Sequence, residues 1–551
     1  MVKQPAKPVA SLASVATDTS TTTVAAWAPF AYPSFAVIWT ASVISNIGTW
    51  MYNAGSGWLM TSLDANPLIV SLVQVANSLP LFLLAMPAGA LADIVNRRWF
   101  LFAGESATTL FGFAIAILIA LGLITPVTLL IFTFLIGVGV AMTTPAWQAI
   151  VPTLVPRSAL APAIAANSVG INVSRAIGPA LGGLIIVGLG IAAPFWLNAI
   201  TNLATVAALL WWRPPRSVQS PLPAEGFAAA IATGFRHARH NPHLRATLVR
   251  AVGFFVFASA YWALLPLVAR MQIKGGPDIY GYLLGAIGIG AVSGAFALPW
   301  LKTKLGPDRL VAGGTLGSAL SLMLFGLVHS FLLGLAASLI AGISWIAVLA
   351  SLNVSAQFAL PDWVRGRGLA MLVTVYFGAL TAGSLLWGTC ANFLGLPLTL
   401  CISAVGALII IPMTWHAKLQ TGVGLDLTPS LHWPAPIPSS ELAYDRGPVL
   451  VIVEYHVEQP YQDEFLQAME RLSHGRRRDG AYSWHVFEDI TKTGRFLETF
   501  LVESWAEHLR QHQRVTNADR VLQEVINHYL VGGSPKVTHY MAVQASRQKH
   551  K

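Results

Sequence analysis

Apolar stretches of about 20 residues, the length that crosses roughly 30 Å of hydrocarbon, recur twelve times before residue 418 and then stop. They fall at 35–60, 68–92, 99–121, 127–150, 160–187, 191–212, 247–269, 280–301, 310–328, 331–359, 369–391 and 396–417. From 448 the rhythm shortens. PVLVIVEYHV (448–457), AYSWHVFEDI (481–490), RFLETFLVES (495–504) and KVTHYMAV (536–543) read as strands, while 461–473 and 505–528 read as helices. The pattern therefore predicts an all-α membrane body followed by a small α+β module.

Composition sharpens this division. Of the 551 residues, 55% are hydrophobic and 11% charged, and the mean hydropathy is +0.61. Soluble proteins carry about a quarter charged residues, so a soluble enzyme is excluded. Residues 448–551 hold 13 acidic and 13 basic side chains, and the first 447 hold 21 basic against 11 acidic, so the +10 excess sits in the apolar body. Lying between apolar spans, it reads as loop charge and not as a nucleic-acid footprint. Fourteen cations follow even-numbered spans: Arg97, Arg98, Arg157, Arg213, Arg216, Arg236, Arg239, Arg245, Arg250, Lys302, Lys304, Arg309, Arg365 and Arg367. Arg270 and Lys274 stand opposite. That asymmetry predicts a multi-pass protein of the cytoplasmic (inner) membrane with both termini in the cytoplasm.

The expected segments are a disordered cytosolic N-terminus (1–33), a six-helix half (34–212), a cytosolic central loop (213–246), a second six-helix half (247–417), a Pro/Ser linker (418–447) and the module (448–545). An offset of 205 matches Gly89 with Gly294, Gly112 with Gly317, Gly137 with Gly342, Pro156 with Pro361, Gly178 with Gly383 and Gly183 with Gly388. Six matches without a gap favour a duplicated six-helix unit.

After span 2 the chain runs Gly89, Ala90, Leu91, Ala92, Asp93, Ile94, Val95, Asn96, Arg97, Arg98. Gly89 lets a helix pack closely, and Asp93 with the arginines can pair and hold one conformation; plain positive-inside anchoring is the alternative. The run resembles the cytoplasmic gating motif of the major facilitator superfamily, departing at Ile94 and Asn96. A weaker second copy keeps Gly294 and Lys302 but has Leu298 for the acid. In span 5, Gly178, Pro179, Gly182 and Gly183 suit a bent, close-packed helix seam. They look like the core of that superfamily's antiporter motif, with Ala165 and Ser174 at its upstream glycine positions. The stretches SNIGTWM (45–51), PAWQAIVPTLVPR (145–157), LGPDRL (305–310), ALPDWVRGRGLA (359–370), RRRDGAYSWHVFED (476–489) and ETFLVESWAEHLRQH (498–512) resemble the transmembrane secretion effector family. Those proteins are facilitator-type exporters related to siderophore exporters. The resemblance implies a twelve-helix major facilitator fold (6+6 repeat) and a proton-coupled exporter of a small amphiphilic molecule working by alternating access.

Ionisable groups deep in a span are costly and point to function. Glu105, about 10 Å into span 3, is the proton-coupling candidate, with pairing to a nearby arginine or snorkelling to the surface as the alternatives. Arg175 in mid-span 5 needs an acid, carbonyls, cavity water or an anionic ligand. The resemblance places spans 1, 2, 5 and 10 around a central cavity, which makes Asn46, Asn53, Gln74, Asn77, Asn167, Asn172, Asn353 and Gln357 substrate candidates. Trp50, Tyr261, Trp345 and Tyr376 add aromatic surface; helix-to-helix bonding is the other use of such amides.

The module's order βαββαβ predicts a ferredoxin-like sandwich with one open sheet face. It is similar to small antibiotic-biosynthesis monooxygenase modules, which cover that face by dimerising, so a membrane-tethered oxygenase is the rival function. His508 and His512 have a spacing that can hold a metal, but without a third ligand nearby a solvated face or dimer contact is expected. His456 and His485 lie on strands where they could line a pocket, but packing is expected. Cys390 and Cys401 lie in apolar spans, so neither a disulfide framework nor a metal centre is expected. No P-loop is present, so ATP is not the expected energy source, and no cofactor is implied.

Overall fold

The computed structural model describes residues 27–213, 227–422, 426–430, 433, 445–533 and 535–543, without the side chains of 93, 94, 157 and 227–233. Asp93's side chain, Arg157's side chain and Arg216 thus lie outside the described residues. The helices are α1 (Pro33–Leu63), α2 (Pro67–Ile94), α3 (Arg97–Ala120), α4 (Pro126–Leu154), α5 (Leu160–Leu189), α6 (Ala193–Trp211), α7 (Phe227–His240), α8 (Pro242–Leu267), α9 (Pro277–Leu327), α10 (Phe331–Phe358), α11 (Arg365–Leu394) and α12 (Leu396–Met413). Ten are long and apolar enough to cross a membrane. One of these, α9, is two spans joined at Gly306, whose φ of 71° a side chain would strain. The 31-residue α1, studded with Ser45, Asn46, Thr49 and Asn53, brings the spans among the described residues to twelve.

Start signals set the helix ends. Asn66, Asn96 and Asn241 accept hydrogen bonds from the first-turn amides of α2, α3 and α8, and Thr125 and Thr128 cap α4 reciprocally. Pro242 at the first position of α8 starts that span five residues ahead of the expected 247, so Arg245 joins Arg250 on the helix. Arg250 there pairs with Asp308 at 3.1 Å. Large apolar side chains such as Phe296, Leu332 and Phe393 stay more than three-quarters exposed around the body, as a lipid-facing surface requires.

The repeat is visible in how its glycines pack. Gly178 lies against Ile47 and Trp50 of α1, and Gly383 against Val256 and Ser259 of α8. Gly137 faces α2, and Gly342 faces the equivalent part of α9. Gly183 meets Gly281 of α9 and Gly388 meets Leu68 and Ser71 of α2, so both seams between the halves rest on repeat-related glycines. Gly89 departs from expectation. Among the described residues nothing lies within 4 Å of where its Cβ would be, whereas Gly294 is pressed on Ile343 and Ile346.

The module comprises β1 (Val449–His456), α13 (Gln462–Arg478), β2 (Tyr482–Glu488), β3 (Arg495–Val502), α14 (Trp505–Arg514), α15 (Asn517–His528) and β4 (Lys536–Met541). Its sheet has the antiparallel order β2-β3-β1-β4. Val449, Val451, Val453 and Tyr455 alternate onto the helix side, where Phe465, Met469, Leu472, Phe496 and Phe500 complete the core. The single helix expected at 505–528 is two. Val515 leaves the helical path, Thr516 caps α15 reciprocally with Asp519, and Pro429 bridges to Thr516.

Candidate functional site

Between the halves, α1 and α5 bring Trp50 and Arg175 together, with the guanidinium 5.4 Å from the indole centroid. Tyr376 of α11 lies near enough to Arg175 to interact electrostatically, so the cation faces the second half. No carboxylate pairs with Arg175 among the described residues, and its Nε is buried without a hydrogen-bond partner. Asn46, Asn53, Gln74, Asn77 and Asn167 are half-buried and make no side-chain hydrogen bond among the described residues. Asn172 and Asn353 instead bond to carbonyls of their own helices, at 2.8 and 2.9 Å, and Gln357 is exposed. Tyr376 stands on Phe255 at 4.3 Å and beside Trp345 at 6.0 Å. Trp345 and Tyr261 are themselves buried and form the wall behind Tyr376.

The seams around this centre differ along their length. A Cβ on Gly183 would stand 2.6 Å from the Pro277 carbonyl oxygen, and one on Gly178 would stand 2.5 Å from the Trp50 Cβ. A Cβ on Gly182 would stand 3.1 Å from the Met51 Cα, and Pro179 offers its carbonyl to Gly281. At the same end of the molecule, Arg270 after α8 donates to Thr61 and Ser62 at 3.0 Å and covers Trp58 of α1 at 5.7 Å. This latch ties the two halves together, and the loop position of Arg270 gave no sign of it. At the other end, Arg98 donates to the Leu209 and Leu210 carbonyls, capping the C-terminus of α6, and Arg97 donates to Ala92 at 3.3 Å.

Glu105 takes a hydrogen bond of 2.8 Å from the Trp147 indole of α4. No cation pairs with it among the described residues, so its partner is a neutral donor and not the arginine weighed from sequence. Trp147 stands in the stretch at 145–157 that carried the family resemblance, yet the sequence offered no sign of its contact.

The module docks on the body through charge. Glu507 of α14 holds Arg514 at 2.6 Å and Arg236 of α7 at 3.3 Å, and Arg514 covers the Trp363 ring at 4.3 Å. His237 of α7 packs edge-on to the same ring. Its burial, and then Arg478 and Arg514, push the imidazole down to about 3. A cavity of about 600 Å³ opens along this junction, lined by Arg239, His243, Arg245, Arg471, His474 and Arg478 among others. Inside the module, Glu498 is fully buried and satisfied by Arg476, Tyr455 and Trp484. His508 corrects the expected solvated face: it is 2% exposed, and His539 of β4 joins it and His512. His456 makes a 3.7 Å contact with Glu454 while more than half exposed, and His485 is also exposed, so neither is packed in the core.

Residues 24–549 match the transmembrane secretion effector family, which spans the body and the module together. The staphyloferrin A transporter of Staphylococcus aureus (strain NCTC 8325 / PS 47) is 25% identical over 385 residues, 67% of this chain and 93% of that protein. The multidrug efflux pump Tap of Mycolicibacterium fortuitum is 26% identical, covering 64% and 88%. The enterobactin exporter EntS of Shigella boydii serotype 4 (strain Sb227) is 27% identical, covering 61% and 80%. Among solved structures, a point mutant of the nucleoside transporter NupG superposes with a TM-score of 0.59 at 10% identity over 69% of this chain and 99% of that one. A bacterial homologue of the lysosomal transporter Spinster, inward-facing and unoccupied, gives 0.55 at 14% identity over 71% and 97%. With twelve spans in two packed halves, the fold is that of the major facilitator superfamily, and the chain belongs to the transmembrane secretion effector family: a multi-pass membrane transporter, not an enzyme.

Proposed function

We propose that this protein exports a small amphiphilic organic molecule, siderophore-like or drug-like, from the cytoplasm by alternating access coupled to proton entry. The observation that carries the reading is Arg175, a cation in mid-membrane with no acidic partner among the described residues, beside half-buried amides and the Tyr376 ring. A substrate with an acidic group satisfies such a cation, and amides that both donate and accept accommodate the rest of it. The names of the relatives, two siderophore transporters and a drug efflux pump, support the same substrate class. The close glycine seams and the Arg270 latch would then be the closed end of a state open at the Arg98 end. Gly89, Asp93, Arg97 and Arg98 would form the gate that changes on switching, and Glu105 would carry the proton. The charge asymmetry of the loops supports a cytoplasmic position for both termini of an inner-membrane protein, and the open sheet face supports dimerisation through the module.

The test compares accumulation of a siderophore and drug panel in cells with and without the protein, followed by the Arg175→Gln variant. Deletion should raise cellular accumulation of an acidic member of the panel. Arg175→Gln should weaken its binding at least about tenfold, the equivalent of about 1.4 kcal/mol, while the protein still reaches the membrane. Unchanged accumulation across the panel would overturn the reading.

A further inference from the structure

The module gathers three histidines that the transport cycle does not use. His508 and His512 stand one turn apart on α14, and His539 sits on β4 opposite Val451, on the helix side of the sheet. The ring of His508 lies 4.9 Å from that of His512 and 4.7 Å from that of His539. One nitrogen from each lies within 4.8 Å of the others, and the Nε2 atoms of His508 and His512 are 3.4 Å apart. Around a tetrahedral ion with metal–nitrogen bonds of about 2.0–2.1 Å, ligand nitrogens stand about 3.3 Å apart. The α14 pair already meets that spacing, and His539 closes on it by moving at most about 1.5 Å.

The surroundings orient the rings. Gln511, also buried, presents its carbonyl oxygen 3.4 Å from Nδ1 of His508. An N–H there leaves the Nε2 lone pair facing the cluster, the same outer-shell device that orients metal-bound histidines. The Trp433 ring covers His512 edge-on at 5.4 Å. Arg476, the nearby guanidinium, is held by the buried Glu498 at 2.9 Å, so its charge is met within the module. Burial and the adjoining imidazoles push His508 down to about 3 and His512 to about 4, and His539 is lowered too, so the rings are neutral at pH 7.

We propose that His508, His512 and His539 form a binding site for a late first-row divalent cation of the Zn²⁺ class. Three imidazoles and no carboxylate favour Zn²⁺, Co²⁺, Ni²⁺ or Cu²⁺ over Mg²⁺ or Ca²⁺, whose ligands are oxygens. Three ligands leave a fourth position for water. The ion clamps edge strand β4 to α14, the helix whose Glu507 and Arg514 meet the transporter body, so metal occupancy and docking share one element.

Untagged full-length protein, stripped with chelator, is titrated with Co²⁺ and followed by visible absorption, with Zn²⁺ stoichiometry measured by elemental analysis. One equivalent should bind with the intense bands of four-coordinate Co²⁺, and Zn²⁺ should abolish them. Gln511→Leu should weaken binding by about 10–100-fold, and His512→Gln with His539→Gln should remove it. His485→Gln on exposed β2 should leave it unchanged. Absence of those bands in the unaltered protein overturns the site whether or not the variants fold, and so does one-equivalent binding that survives the double substitution.

Discussion

A carboxylate that meets an indole N–H can release or take a proton without stranding a cation, and this decides how Glu105 should respond to substitution. Glu105→Gln keeps an oxygen for the 2.8 Å bond from Trp147, so the thermal stability and membrane yield of the variant should match the parent. Had an arginine been the partner, the loss would be about 3–5 kcal/mol. If Glu105 carries the coupled proton, export driven by a pH gradient should fall to background while substrate binding persists; normal export would assign Glu105 to packing. Glu105 was legible as the one acid well inside a predicted span, and Arg175 as the mid-span cation. Trp147 was not, because it lies 42 positions away on another helix and indole donors follow no spacing rule. His539 escaped for the same reason: an i,i+4 pair on a helix shows in sequence, but a third ligand from a strand shows only after the sheet register is set.

Helices α5 and α9 touch backbone to backbone, so a single side chain can act as a wedge. Gly183→Val would force its branches into the Pro277 carbonyl and Gly281, and the repeat-related Gly388→Val would do the same against Leu68 and Ser71. Overpacking of this kind costs about 1–3 kcal/mol. Both variants should insert and fold, yet lose export by failing to close that end, which cysteine labelling near Tyr280 would report as raised accessibility. Arg270→Ala should act in the same direction but more weakly, since it removes two hydroxyl contacts and one ring contact. The offset of 205 residues made this symmetry legible, because a glycine fixed by close helix approach recurs wherever the approach recurs. It could not show that no described residue packs on Gly89, nor the break at Val515, which depends on Thr516, Asp519 and the passing chain at Pro429. The sheet topology was readable from the βαββαβ order of elements, and the face each strand buries was readable from its alternation.

At the scale of the whole molecule, the module presents two distinct surfaces, the open sheet face and the face docked on the body. The sheet face away from the helices carries Leu450, Ile452, Leu497 and Leu501, with Tyr482, Phe487 and Tyr540 strongly exposed around them. Such a face favours a second copy, and cross-linking of the detergent-solubilised full chain should give a dimer that Phe487→Lys with Tyr540→Lys dissolves. The docking surface answers to pH instead. His237 is buried against Trp363 and faces Arg236 of its own helix, Arg478 and Asp519 of the module's α13 and α15, and Arg514 of α14. Burial, and then Arg478 and Arg514 of the module, push its imidazole down to about 3 in the docked form, below the ordinary value of about 6.5. Because the undocked form binds the proton more readily, docking is fully supported above about pH 6.5 and loses support as pH falls from there towards 3. Hydrogen exchange of α7 and α13 should therefore rise across that window, and His237→Gln, which has no proton to take up, should flatten the rise. If parent and variant undock together, the ion pairs that Glu507 makes with Arg236 and Arg514 control the contact and His237 does not.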